Sequence, residues 1–299
     1  MTIALYFDAR LDVNNNKVLL DGITQACIMQ SGSAYLFELV RINTLTLLVF
    51  LLTSVAASAK ELPHEFTANY EVEVYGIVLA RATHTVEHTD NGLSMEVYTR
   101  PAGLMTLVSD DEVVVRADLA TNNGQLLLVN YEYTHTGDEE DDDVRFNIEW
   151  QNNHEQKLIG KGTGIYDGEK INIDFDKPIW DPLSAQALII VNADKDIARQ
   201  EHGLFLKGGL KHYLFENHGK EKISFNETEF MALKTVIKET ERDRVIYVWM
   251  VPEFNNIPIK YERWKNGKLQ SAILLRNVTF EKDGETIALS FTNDDEDFE

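Results

Sequence analysis

From Phe66 onward, apolar and polar positions alternate with a period of two. Phe66, Ala68, Tyr70, Val72 and Val74 share one face, and Thr67, Asn69, Glu71 and Glu73 share the other. Successive side chains of an extended chain point to opposite faces, so this run predicts a half-buried strand. Gly76 interrupts it and predicts a bulge or bend. The alternation returns at Val144, Phe146, Ile148 and Trp150, at Ile171, Ile173 and Phe175, and at Ile257, Ile259 and Tyr261. Between such runs stand Asn91-Gly92, Asn123-Gly124, Asp167-Gly168, Asn266-Gly267 and Asp283-Gly284. Each dipeptide supplies the positive φ that a tight hairpin demands. Strands joined that tightly are antiparallel, because a parallel pair needs a long crossover. Val245 to Val251 is almost wholly apolar and predicts a strand buried on both faces.

One segment breaks the alternation. In the run from Trp180 to Val191, Asp181 is a good N-cap and Pro182 suits the first helical position. A helix over about 182–199 follows, with Leu183, Ala187, Ile190 and Val191 as a stripe that covers the open side of a curved sheet. A second short helix is expected over Ala102–Leu107. Counting runs gives about a dozen strands, more than a twisted open sheet carries without curling or splitting. The fold class is all-β: an antiparallel meander curled into a soluble barrel, half-barrel or two-layer roll. A transmembrane barrel needs an outward apolar band, whereas the outward positions here are Lys, Glu, Asn and Asp.

Residues Val40 to Ala59 change the picture of domains and compartment. Arg41 gives a basic start, Leu45 to Leu52 an apolar run, and Ala57-Ser58-Ala59 a small-residue cleavage site before Lys60. The run is short for a membrane helix, which needs about 20 apolar residues, and no basic stop-transfer cluster follows. The expected layout is an over-extended N-terminus at 1–39, a signal peptide at 40–59, one all-β domain at 60–292 and an acidic tail at 293–299. Val40 is a residue that a GTG initiation codon would also specify. The sole cysteine, Cys27, precedes the cleavage point. The exported chain then holds no disulfide, no thiolate metal site and no lipidation cysteine, and about 240 residues suffice for a core without staples. The expected location is the periplasm of a Gram-negative bacterium, with no membrane span after cleavage.

Charge excludes some partners. The chain carries 28 Lys+Arg against 49 Asp+Glu; three basic and four acidic residues precede Lys60, leaving 25 against 45, or −20. Such a field repels phosphate backbones and anionic headgroups, which argues against nucleic acid and electrostatic membrane docking. The acidic run Gly137 to Asp143 lacks the internal glycine and flanking helices of a calcium loop, so it reads as a solvated loop.

Candidate chemistry is sparse. His84-Thr-Val-Glu87-His88 has the spacing of an inverzincin metal motif, which works on a helix. In a strand, His84 and His88 share a face about 13 Å apart and Glu87 points the other way. His202, His212 and His218 lie near glycine-rich turns and read as polar hairpin ends. Gly160, Gly162 and Gly164 lie between strands with no following helix, so no phosphate cradle is expected. No catalytic residue, metal site or cofactor is assigned, and the chain reads as a non-enzyme rather than an enzyme. A ligand site in an antiparallel cup would be walled by inward aromatic side chains. The candidates are Tyr70, Tyr75, Trp150, Phe175, Trp180, Phe205, Trp249 and Tyr261, each of which core packing alone would also account for.

Phe66-Thr-Ala-Asn-Tyr70 followed by Gly76, the Asp181-Pro182-Leu183-Ser184 helix start, and Val248-Trp249 leading to Ile257-Pro258-Ile259-Lys260 resemble the exported bacterial proteins catalogued as domain of unknown function 3108. The likeness spans roughly Phe66 to Phe291. It implies a periplasmic all-β protein without an established activity and carries over no functional residue. The functional expectation is a binding or carrier module for a lipid or envelope glycan. A hydrolase of an envelope polymer and a structural partner of an envelope complex are the alternatives. Paired carboxylates in a cleft would favour the former, and an exposed apolar patch without a cavity the latter.

Overall fold

The computed structural model describes residues 62–136, 143–154, 156–195 and 199–291. The expectations for Met1–Leu39, the leader Val40–Ala59, most of the acidic run and the tail 293–299 lie outside the described residues. The described residues belong to one compact unit.

Eight strands form a first meander: β1 (Phe66–Val74), β2 (Ile77–Thr89), β3 (Gly92–Pro101), β4 (Val113–Asn122), β5 (Gln125–His135), β6 (Val144–Asn152), β7 (Leu158–Tyr166) and β8 (Glu169–Phe175). A two-residue strand, β9 (Ile179–Trp180), and the helix α1 (Ser184–Val191) follow. The second meander is β10 (Gln200–Leu206), β11 (Gly209–Phe225), β12 (Thr228–Glu239), β13 (Arg244–Val251), β14 (Ile257–Lys265) and β15 (Lys268–Lys282), with β16 (Glu285–Ser290) added to the end of β15. β1 pairs with β15, so both meanders belong to one sheet that runs from β8 through β1 and β15 to β9. The β9–β10 pairing is parallel and the neighbouring ladders are antiparallel. The result is a nearly closed β-barrel, as the alternation predicts.

Four turns match the sequence reading: Asn123-Gly124, Asp167-Gly168, Asn266-Gly267 and Asp283-Gly284 have positive φ at both residues. Two expectations are corrected. Gly76 marks no bulge, because Tyr75 and Gly76 both take positive φ (51° and 78°) and form the β1–β2 hairpin turn. Gly92 is not in its turn but opens β3, where a Cβ would sit 1.9 Å from Leu119 O; close backbone approach fixes that glycine.

The sheet overlaps instead of closing through backbone hydrogen bonds. Leu204, Phe205 and Leu206 on β10 are all buried, so both faces of that strand are covered. The Phe205 ring stacks on Phe146 of β6, with centroids 4.0 Å apart and planes 8° from parallel. Phe205 also meets Tyr131 of β5 edge-on at 6.2 Å, and Phe146 meets Phe175 of β8 in the same way at 6.2 Å. The two ends of the pairing order are therefore held together by aromatic packing.

Room for that stack comes from β7. Gly160, Gly162 and Gly164 are the glycines set aside as a phosphate cradle, and they face the rings. A Cβ on Gly162 would lie 2.3 Å from the Phe146 ring, and one on Gly160 2.6 Å from the Trp150 ring. Gly162→Ala is expected to lower stability by about 1–3 kcal/mol through overpacking. Urea unfolding with an unchanged slope and a lowered midpoint would register this. A midpoint equal to that of the parent would refute the close-packing account.

Helix α1 begins at Ser184, two residues past the expected start at Pro182, and Asp181 holds the turn that leads into it. Asp181 Oδ1 accepts from Leu183 N at 2.6 Å and from Ser184 N at 3.3 Å, while Asp181 N donates to Ser184 Oγ at 2.9 Å. The helix ends at Val191, short of the expected Arg199. Asn192 Nδ2 donates to Leu188 O of the last turn at 2.8 Å, and Asn217 Nδ2 of β11 donates to Asn192 O at 2.8 Å and Lys195 O at 2.9 Å just past the helix. Nor does α1 cover an open side with one stripe. Every residue from Ser184 to Ile190 is buried, Gln186 included, which places the helix in the interior. Tyr261 of β14 donates to Gln186 Oε1 at 2.8 Å and satisfies that polar group.

Candidate functional site

The eight aromatic candidates fall into three groups. Tyr70 and Tyr261 face the interior 6.3 Å apart, and the Tyr70 hydroxyl donates to Pro258 O at 2.9 Å. Burial raises both phenols far above their ordinary range, so they act as neutral hydrogen-bond donors in a packed core. Phe175, Phe205 and the half-buried Trp150 belong to the aromatic overlap, where Trp150 Nε1 donates to Leu128 O at 2.7 Å; Trp180 is buried on β9. Tyr75 and Trp249 do not face the interior. Tyr75 is exposed at its hairpin tip, and Trp249 lies on the outer face.

The expected strand buried on both faces is found from Val248 to Val251, whereas Val245 and Tyr247 are half-buried. Ile246 and Val248 are buried, while Tyr247 and Trp249 form the outer row with Lys234 of β12 and Lys260 of β14. Lys234 Nζ stands 4.9 Å from the Tyr247 ring and 5.0 Å from the Trp249 ring, and Lys260 Nζ is 5.2 Å from Trp249. Trp249 Nε1 donates to Glu221, which also pairs with Lys234 at 3.2 Å. Lysine stems and cation–π contact thus cover an aromatic row that would otherwise be apolar surface.

The histidine motifs do not assemble a metal site. His84 lies on β2 with its side chain buried among apolar neighbours, 5.0 Å from the Phe66 ring and edge-on to it. Its Nε2 has no hydrogen-bond partner, and burial lowers its pKa to about 3. His88 is exposed at the end of the strand, with Nε2 2.8 Å from Pro63 O. His212 pairs with Glu201 at 3.0 Å, His218 approaches Glu216 at 3.5 Å, and His202 packs on Phe215. Among the described residues, no group of three His, Cys, Asp or Glu side chains could hold a metal ion.

Two surface features remain. A groove of about 350 Å³ opens on the outer face where β15, β1 and β2 lie side by side, floored by Thr279, Thr67 and Thr85 and rimmed by Glu65, Glu87 and Glu281. The second lies at the opposite end of the same strands. The β1–β2 hairpin and the 3-10 turn Gly103–Leu107 expose Tyr75 (74%), Ile77 (57%), Leu104 (74%), Leu107 (80%) and Val108 (75%). The turn lies against the start of β2, where Ala102 N donates to Leu79 O at 2.9 Å. Tyr75 is tied to β15 through Gln270 O at 3.3 Å and Gln270 Oε1 at 3.0 Å. Of these five residues the aromatic reading named Tyr75 alone. A signal for the others was present: Tyr75–Ala80 and Pro101–Ser109 carry no charge in a chain that is 26% charged.

Comparison with known proteins agrees with the fold and goes no further. No protein-family model matches the chain, and no curated protein matches it. A solved beta-barrel-like protein of domain of unknown function 1849 from Brucella abortus superposes with a TM-score of 0.51. It is 9% identical and covers 74% of this chain and 100% of its own. At that identity the likeness shows the fold alone.

Proposed function

We propose that this chain is a non-catalytic binding module of the cell envelope, exported to the periplasm of a Gram-negative bacterium and belonging to the 3108 group. It engages an apolar partner at the exposed corner of Tyr75, Ile77, Leu104, Leu107 and Val108. That corner is the observation that carries the reading: monomeric proteins seldom leave large apolar side chains clustered in water without a use. The leader at Val40–Ala59 and the cysteine-free remainder support export. A carrier that encloses a lipid or glycan has less support, because the interior positions hold α1, whose Gln186 is satisfied by Tyr261. A hydrolase also has less, since the strongly shifted acid and base, Asp181 and His84, are enclosed in the core and not placed in a cleft.

An environment-sensitive dye such as bis-ANS is expected to bind the folded chain, and Leu104→Ser combined with Leu107→Ser is expected to remove most of that binding. Native mass spectrometry is expected to show the polypeptide mass alone. A stoichiometric co-purified lipid, or dye binding unchanged in the double variant, would overturn the surface reading.

A further inference from the structure

We infer that the corner of Tyr75, Ile77, Leu104, Leu107 and Val108 is a membrane-contact site that inserts into the interface of a zwitterionic lipid bilayer. The inference rests on the reading that the chain binds through this corner, and it names the partner. The five side chains are exposed on two adjacent loops at one end of the barrel. Both loops are anchored at their bases: Tyr75 is hydrogen-bonded to Gln270 through both main chain and hydroxyl, and Ala102, just before the 3-10 turn, donates to Leu79 O of β2. Rigid loops lose little conformational freedom on insertion.

Charge selects the kind of membrane. Neither Tyr75–Ala80 nor Pro101–Ser109 contains a charged side chain, so the segments that would insert carry no charge to desolvate. Of the acids that follow the turn, Asp110 is exposed, whereas Asp111 lies 3.5 Å from the buried His135 and Glu112 accepts from Tyr98 at 2.6 Å. The whole chain, at −21, is repelled by anionic headgroups, which leaves neutral headgroups as the compatible surface.

Size selects a bilayer over a protein. A stable protein interface takes about 800 Å² and some 20–30 residues from each side, well beyond what two loop tips provide. A bilayer requires no matching shape, and apolar side chains need to enter only about 5–10 Å to leave water. Tyr75, with an apolar ring and a polar tip, is the residue type that interfaces favour.

Vesicle flotation tests the assignment, using the exported chain and vesicles of phosphatidylcholine alone. Co-flotation that persists in high salt is expected, together with weaker binding when phosphatidylglycerol is added. The double variant Leu104→Ser, Leu107→Ser is expected to lose binding by roughly tenfold or more while keeping the parent's thermal midpoint, because both side chains face solvent. If the parent fails to float yet binds bis-ANS at this corner, the bilayer assignment falls and the docking corner stands. If neither occurs, both fall. A parent dimer in sedimentation that the double variant lacks would assign the corner to a second copy and overturn the membrane reading.

Discussion

Phe146→Ala is expected to lower the stability of the fold by about 3–5 kcal/mol, the range for removing a fully buried aromatic ring. Phe146 is completely buried and bridges the two ends of the sheet, stacking on Phe205 of β10, next to the edge strand β9, and meeting Phe175 of the edge strand β8 edge-on. Elsewhere each strand is held by a backbone ladder, but β8 and β9 are the two ends of the pairing order, so the overlap depends on side chains. The loss should therefore be local in character as well as large. Hydrogen exchange should show weakened protection of β10 amides, with the β1–β2 and β1–β15 ladders retaining theirs. Gly162→Ala should cost less in the Phe146→Ala background than in the parent, because the ring that its Cβ would strike is gone. Urea unfolding of the single and double variants measures both effects. A loss under about 1 kcal/mol for Phe146→Ala would mean that something other than this stack holds the overlap.

The contrast between ladder and overlap also explains how much was legible in the sequence. The strand Phe66–Val74 was readable because its alternation is local, and so were four hairpin turns, because Asn-Gly and Asp-Gly state their backbone requirement in two residues. The start of α1 was readable for the same reason, since the Asp181–Ser184 exchange spans three residues. What was not legible is long-range. Gln186 looks like a polar break in an apolar helix until Tyr261, 75 positions away, accounts for it. The carbonyl of Asn192, just past the end of α1, finds its partner in Asn217 on another strand. Phe205 and Phe146 carry no mark of their stacking, and Trp249 reads as a core aromatic because the lysines that cover it come from β12 and β14. Tyr75-Gly76 escaped as a hairpin because a bulky residue seldom takes positive φ. The site fared worse than the fold. Inward rings are what mark the wall of a cup, whereas the exposed corner consists mostly of aliphatic residues in uncharged loops.

His84→Leu is expected to change the pH dependence of stability with a definite sign. In the fold His84 is held neutral by burial, with its pKa lowered from 6.5 to about 3. Between those values the unfolded chain binds a proton that the native chain does not, so stability is lost as pH falls from about 6.5 toward 3. The full shift corresponds to roughly 5 kcal/mol. Asp181 works in the opposite direction, because burial raises its pKa from 3.8 to about 6. Here the native chain binds the extra proton, and stability is gained as pH falls from about 6 to 3.8, by roughly 3 kcal/mol at most. The parent profile is therefore a partial cancellation between pH 6 and 4, and each group is seen by removing the other. Relative to the parent, His84→Leu should gain about 3 kcal/mol between pH 6.5 and 4. It should also be more stable throughout, since the unpartnered Nε2 is gone. Asp181→Asn keeps an oxygen to accept from Leu183 and Ser184 but cannot ionise, so it should lose about 2–3 kcal/mol relative to the parent between pH 6 and 4. Urea unfolding at intervals across this range reads both differences. Profiles for either variant that run parallel to the parent within about 0.5 kcal/mol would show that the group does not titrate on unfolding. Opposite slopes in the two variants, by contrast, are what one buried base and one buried acid in the same core require.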